Sequence, residues 1–399
     1  MAPSTRPLAT HLVEIRERKN IVKSQAPQMS DRRILLKSGT LAGLAAVAGA
    51  LPLHGTDAAP KPLDTSNEGW SKRALGFMLP HEQFDVAKLV EFGIAAESAG
   101  FDFVATSDHF QPWQPNEGHS GMAWVTMAAL GQKTSRLRMG TTVTCPSYRY
   151  SPAVVAEGFA SLSILYPNRI FLGVGSGEAL NEQAATGNWD QWPVRSERLV
   201  EATQIIRELW KGAPVRHEGN HYKVDGKLYD PPRGPIPLFM AGNGPKAMRR
   251  CGIHGDGLVT DPKTWKEHKN EFMAGLKEAG KDPRATPVLV EQYVVVGGQK
   301  ELEEAVTKWR FGPKAWKPYF NIVSPQEIED RAMREVSADK VSEGWPVGTD
   351  ASAHIKVIEE LFQSGATMVN IHAGQSDQLR VIRFYKDEVI PKLRSKAAD

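Results

Sequence analysis

Short apolar runs of strand length alternate with stretches whose apolar residues repeat at helical spacing along most of this chain. Ala74 to Leu79 is the first such run, and Val86, Leu89, Val90 and Ile94 follow it at intervals that place them on one helix face. Phe101 to Ala105, Leu137 to Val143 and Ile170 to Val174 supply three more strands, with helix-like stretches between them. Leu199, Ala202, Ile206 and Leu209 mark another helix face. Ile236 to Ala241, Gly257 to Thr260, Val288 to Val296 and Thr367 to Ile371 complete the strands, and Leu379 to Leu393 predicts a closing helix. Alternation of this kind implies a parallel sheet. Eight βα units over this length favour a closed (β/α)8 TIM barrel over an open sheet. The segment from Phe311 to Gly348, rich in Pro, Gly and Trp, predicts an insertion.

Residues 1 to 59 do not follow this rhythm and read as an address. Asp31-Arg32-Arg33-Ile34-Leu35-Leu36-Lys37 sets paired arginines ahead of a Gly- and Ala-rich apolar stretch, Ser38 to Leu51. That stretch is shorter than the roughly 20 apolar residues a spanning helix needs. Paired arginines in this setting predict a leader read by the twin-arginine (Tat) translocase and an exported protein of the cell envelope. Cleavage is expected near Ala58-Ala59, and the long lead-in makes Met29 a candidate start. Residues 60 to 73 read as a linker, and 74 to 395 as one catalytic barrel domain.

Eight of the 49 basic and four of the 46 acidic residues lie in the leader, leaving 41 and 42. A balanced remainder gives no electrostatic case for nucleic acid. With only Cys145 and Cys251 present there is no disulfide framework. Neither HExxH nor a Cys/His cluster with ligand spacing appears, and no metal site is expected. A nucleophile elbow and a phosphate loop are missing too, which leaves hydrolase and nucleotide-hydrolysing readings without a starting residue.

In a barrel the chemistry sits on the loops that follow the strands. The first carries His81-Glu82-Gln83-Phe84, and the second Ser107-Asp108-His109-Phe110-Gln111-Pro112-Trp113. The third carries Thr141-Thr142-Val143-Thr144-Cys145-Pro146, and the fourth Gly175-Ser176-Gly177-Glu178-Ala179-Leu180-Asn181-Glu182. Singly, Asp108 reads equally well as a helix cap and Glu178 as a solvated first-turn residue. Together they set acid, imidazole and indole groups around one predicted mouth. Gly173-Val174-Gly175-Ser176-Gly177 reads as a loop that lets backbone approach a cofactor closely.

Ser107 to Trp113 and Gly177 to Glu182, with Tyr148-Arg149-Tyr150-Ser151-Pro152-Ala153 and Tyr166-Pro167-Asn168-Arg169-Ile170-Phe171-Leu172-Gly173, resemble the F420-dependent glucose-6-phosphate dehydrogenases of the luciferase-like superfamily. The resemblance runs through nearly all of 74 to 395. His81-Glu82-Gln83-Phe84, Asn116-Glu117-Gly118-His119-Ser120, Thr144-Cys145-Pro146 and Val347-Gly348-Thr349-Asp350 are similar to the exported F420-dependent hydroxymycolic acid dehydrogenases. The resemblance implies hydride transfer from an alcohol carbon to C5 of the deazaflavin coenzyme F420. It implies that Asp108 hydrogen-bonds near ring and substrate, that His109 polarises or deprotonates the hydroxyl, and that Trp113 walls the reacting centre. Glu178 would serve the proton that accompanies ring reduction, with Glu82 a second acid–base candidate. A non-proline cis peptide at Thr142-Val143 would back the ring. Cys145, Gly175, Gly177, Asn181, Gly242, Asn243, Gly244 and Thr260 are the further coenzyme-binding candidates, and a homodimer is implied.

Substrate is where the chain departs from the sugar-phosphate enzymes. Lys263 and Lys317 match two of their phosphate-binding lysines, but their arginine position reads Glu343, and a Lys-His pair reads Lys317-Pro318. A carboxylate there repels phosphate, which favours a bulky secondary alcohol such as a hydroxymycolic acid. Trp265, Trp309, Trp316 and Trp345 are candidates for lining such a cleft, ordinary packing being an equal expectation. The alternatives are a sugar-phosphate dehydrogenase, an FMN-dependent monooxygenase on the same barrel, and a coenzyme carrier without turnover.

Overall fold

The computed structural model describes residue 70 and residues 73–396. The leader, its cleavage point and the Met29 start lie outside the described residues, as does most of the segment read as a linker. The described strands are β1 (Ala74–Leu79), β2 (Phe103–Thr106), β3 (Arg138–Thr141), β4 (Ile170–Val174), β5 (Val215–Glu218), β6 (Lys223–Gly226), β7 (Leu238–Ala241), β8 (Gly257–Thr260), β9 (Val288–Val294) and β10 (Met368–Ala373). Eight of them close a barrel in the order β1-β10-β9-β8-β7-β4-β3-β2, and every pair is parallel. Each apolar run read from the sequence is one stave.

Local sequence explains where the helices begin. Asp85 caps Val86–Ala99 by accepting from the Lys88 N–H, and Gly100, in the left-handed region at φ 95°, ends it. Ser151 and Asp261 cap Pro152–Leu165 and Pro262–Glu278 in the same way, each followed by a proline whose missing N–H costs nothing at a first helical position.

The barrel interior is packed by Ala74, Met78, Phe103, Ala105, Phe171, Phe239, Val259, Leu289 and Met368. Trp70 closes its N-terminal end, 5.5 Å from Phe171 and 6.2 Å from Phe239 by ring centroids, with the Arg138 guanidinium over its own ring. This tryptophan lies within the stretch read as linker. Polar neighbours gave it no periodic pattern that could betray burial.

Two parts depart from expectation. Residues 215–226 form an antiparallel hairpin, β5 with β6, too short and polar to register as a strand signal. The closing helix is not continuous: Gln378–Phe384 and Ile390–Lys396 are joined by a π-helical turn at Tyr385–Val389. The insertion is largely helical, with Pro325–Glu335, Ala338–Val341 and two 3-10 turns. Its apolar residues Phe311, Tyr319, Ile328 and Val341 form a second core with Trp113 and Leu180 from the β2 and β4 loops. The insertion therefore roofs the C-terminal rim. Among the described residues no helix is long and apolar enough to cross a membrane.

Candidate active site

The loops after β1, β2, β3 and β4 meet on that rim. His109 is the hub. Its Nε2 lies 3.2 Å from Glu82 Oε1, and its Nδ1 lies 3.1 Å from Asn181 Nδ2 and 3.2 Å from the Gln111 carbonyl. The Ser107 hydroxyl donates to the other Glu82 oxygen. Burial alone would raise the Glu82 pKa, but the adjacent imidazole and the Ser107 hydroxyl outweigh it and hold this carboxyl below the usual range. Glu82 therefore meets His109 as a carboxylate. His81, beside it, is buried against Thr126, and burial lowers its pKa.

Asp108 belongs to the framework of the site. Thr144 Oγ1 donates to its Oδ2 at 2.6 Å, and Arg149 Nη2 (2.8 Å) and the Tyr150 hydroxyl (3.3 Å) donate to its Oδ1. Arg149 also donates to the Asp108 backbone carbonyl, tying the β2 loop to the β3 loop. Trp113, 5% exposed, stands 5.9 Å from the His109 ring and stacks on Phe311 at 4.8 Å. Glu178 is half-buried at the N-cap of the helix Ala179–Thr186, where its Oε2 accepts from Asn181 Nδ2 at 3.2 Å.

Small residues floor the mouth. The Thr142-Val143 peptide is cis, as the family resemblance implied. A side chain at Gly175 would begin 2.6 Å from Val143 Cγ2 and 3.8 Å from Ala241 Cβ, so the glycine lets these two residues pack close against its backbone. Gly177 takes φ 77°, and a Cβ there would meet Glu182 and the buried Cys145 thiol. On the far side Thr260 Oγ1 donates to the Gly242 carbonyl at 3.0 Å. In the amide orientation that satisfies both partners, Asn243 donates to that same carbonyl and accepts from the Trp316 indole N–H. Gly244 is the N-cap of the helix Pro245–His254 and no side chain caps the first turn, which leaves the Lys246 and Ala247 N–H groups uncapped.

Several residues of the mouth escaped the sequence reading. Leu289, Glu291 and Tyr293 of β9, and Met368, Asn370 and His372 of β10, occupy alternate positions on paired strands. Leu289 and Met368 pack the interior, which puts the polar residues above them on the inward face. Glu291 Oε1 and His372 Nδ1 are 2.8 Å apart. Tyr293 lies stacked between His372, at 4.1 Å, and Trp345, at 4.9 Å. His372 Nε2, Asn370 Oδ1 and Glu117 Oε1 are buried polar atoms without a partner. Burial, then the charge of Glu82, raises the Glu117 pKa well above the carboxylate range, so a neutral acid sits beside an ionised one.

Glu182 is the other unanticipated group. It is 1% exposed and accepts from the Arg149 backbone N–H at 2.9 Å. Burial and the charges of Glu178 and Asp108 push its pKa up to about 7, against the pull of Arg149. The fold thus keeps a proton that the unfolded chain releases above its ordinary value of 4.5. Stability contributed by this group is full below that value and is lost as pH rises towards 7, by about 3 kcal/mol. Glu182→Gln should match the parent in urea unfolding near about pH 5 and exceed it near about pH 8. A gain of equal size at both pH values would contradict the assignment.

The substrate candidates are scattered. Lys263 and Lys317 are exposed, and Glu343 is exposed and paired with Lys340. Trp265 is core: it packs on Phe272 and donates to Ser364, away from any cleft. Trp309 is buried, edge-on to His372, whereas Trp316 stands 45% exposed against Trp113. Among the described residues no group of three or more His, Cys, Asp or Glu could hold a metal ion.

A barrel with this floor and rim defines a class: residues 70–375 match the family model described as luciferase-like monooxygenase. The chain belongs to that family and, within it, to the F420-dependent dehydrogenases. It is 41% identical over 361 residues to the F420-dependent hydroxymycolic acid dehydrogenase of Mycobacterium tuberculosis, covering 88% of this chain and 98% of that one. It is 36% identical to the F420-dependent glucose-6-phosphate dehydrogenase of Mycolicibacterium gilvum, covering 80% of this chain and 98% of that one. An F420-dependent secondary alcohol dehydrogenase solved with an F420-acetone adduct superposes with a TM-score of 0.76 at 34% identity, over 81% of this chain and 99% of that one.

Proposed function

We propose that this protein oxidises a bulky, largely apolar secondary alcohol to a ketone, with F420 as the hydride acceptor. As a member of the F420-dependent dehydrogenases it is an oxidoreductase acting on alcohol donors with F420 as coenzyme. The observation that carries the finer reading is the aromatic wall beside the His109–Glu82 pair. Trp113, Phe311 and Trp316 pack together there, and both lysines expected to grip a phosphate stand in solvent. A site whose walls are apolar gains little from a sugar phosphate, whose charge it would leave unpaired.

The residues present fit a planar ring and an anionic tail. Val143, Gly175 and Ala241 offer a close-packed floor on which no side chain rises from Gly175, and the uncapped first turn after Gly244 suits a phosphate. When bound, F420 supplies the deazaflavin carbon that takes up the hydride. The chain's own residues handle protons and position. His109 takes the hydroxyl proton, and the Glu82 carboxylate stabilises the imidazolium that results. Glu178, half-buried at the mouth, is placed to supply the second proton. Trp113 keeps water from the reacting carbon.

The test is spectroscopic. Purified protein, mixed with oxidised F420 and either a panel of secondary alcohols or glucose 6-phosphate, should bleach the deazaflavin absorbance with the apolar alcohols. FMN should not bind. Turnover of glucose 6-phosphate alone would replace this reading with the sugar-phosphate one; F420 binding without turnover of any alcohol would make the protein a carrier. Arg32 and Arg33 support export through the twin-arginine translocase. N-terminal sequencing of protein recovered from the cell envelope tests that.

A further inference from the structure

Asn181 was expected to hold the coenzyme, yet its amide is fully engaged inside the protein. Oδ1 accepts from the backbone N–H groups of Phe110 (2.8 Å) and Gln111 (3.2 Å). Two N–H donors on one oxygen fix which end of the amide is which. The opposite end, Nδ2, must then be the atom that reaches both His109 Nδ1 at 3.1 Å and Glu178 Oε2 at 3.2 Å. One buried side-chain nitrogen therefore touches the groups read above as base and acid. We infer that Asn181 is a positioning residue that fixes the resting tautomer of His109 and, through the same nitrogen, holds the Glu178 carboxyl group.

Nδ1 of His109 has two partners of opposite kind. Asn181 offers it a donor, which suits a bare Nδ1 and puts the ring proton on Nε2; the Gln111 carbonyl offers an acceptor, which suits Nδ1–H. Each form has a partner waiting, so the imidazole can change its protonation state without turning. With Nδ1 bare, the Nε2–H faces Glu82 and can donate to a carbonyl oxygen. With Nδ1 protonated, a bare Nε2 can accept a hydroxyl proton, giving an imidazolium against Glu82. The remaining groups around the ring do not touch Nδ1. Glu82 lies on the Nε2 side, His81 is made less basic by burial, the Asp108 carboxylate is taken up by Arg149 and Thr144, and Trp113 offers only its ring. Glu82, an acceptor on the Nε2 side, favours the same form as the Asn181 donor, so the two together hold the Nε2–H tautomer against the pull of the Gln111 carbonyl on Nδ1.

This inference rests on the acid and base roles proposed above, and its test separates the two. Asn181→Asp is isosteric: it keeps the oxygen that anchors Phe110 and Gln111 and turns the Nδ1 donor into an acceptor. With ¹⁵N-labelled histidine, and the His109 signals assigned by their loss in His109→Asn, the parent should show a bare Nδ1 and a protonated Nε2. Asn181→Asp should show a protonated Nδ1. The acidic limb of the kcat/KM profile for alcohol oxidation should move up by about one pH unit, because the base holds its proton more tightly. F420 affinity should change little. An unchanged tautomer would overturn the inference, as would a loss of F420 affinity of about tenfold or more with the pH profile unmoved, which marks a coenzyme ligand. If the tautomer changes but His109→Asn turns over normally, Asn181 keeps this role and the base assignment fails.

Discussion

Replacing His109 by alanine is expected to lower kcat/KM for alcohol oxidation by about a hundred- to ten-thousandfold, the usual range for a positioned acid–base group. F420 binding should stay near that of the parent, whereas the thermal midpoint should fall, because losing the imidazole leaves the buried Glu82 carboxylate with the Ser107 hydroxyl alone. Single-turnover loss of deazaflavin absorbance with coenzyme saturating is the measurement, since it reads chemistry apart from coenzyme affinity. A drop confined to KM for the alcohol would mean that His109 binds without transferring protons. Recovery of rate at alkaline pH would show hydroxide replacing the missing base.

The second large effect is on stability. Arg149→Met leaves the Asp108 carboxylate, whose side chain is wholly buried, with only two hydroxyl donors. Stranding one half of a buried ion pair costs about 3–5 kcal/mol. Calorimetry should therefore find a clearly lower melting temperature. The informative comparison is the double variant Asp108→Asn with Arg149→Met, which removes the stranded charge. Its loss should be well below the sum of the two single losses. Additive losses would mean that Arg149 matters for its packing over the Tyr150 ring rather than for the charge it neutralises.

All eight barrel staves were legible because a buried parallel strand writes a short, mainly apolar run. The hairpin at 215–226 and the π-helical turn at Tyr385–Val389 were not: the first is short, exposed and polar, and the second keeps the apolar spacing of an ordinary helix. In the mouth, the β1 to β4 loops could be read because their polar residues interrupt apolar sequence. Glu291, Tyr293, Asn370 and His372 lie inside the strands themselves, where one polar residue in an apolar run looks incidental until closure of the barrel turns it inward. Lys263 and Lys317 show the opposite failure. Matching residue type at a family position says nothing about burial, and both lysines point into solvent. Asn181 was placed correctly at the rim, but three of its four polar contacts are with His109, Phe110 and Gln111, 70 to 72 residues away in sequence.

The roof over the rim has a core of its own, built on Phe311, Tyr319, Ile328 and Val341, and reaches the barrel loops through Trp113 and Leu180. Residues in that roof can change size without opening a void in the barrel interior, because its core meets the staves only at the rim, where Trp345 stacks on Tyr293. One redox chassis can in this way accommodate alcohols of different girth by exchanging the segment from Phe311 to Gly348, with Trp113 as the hinge pin that any replacement must still meet.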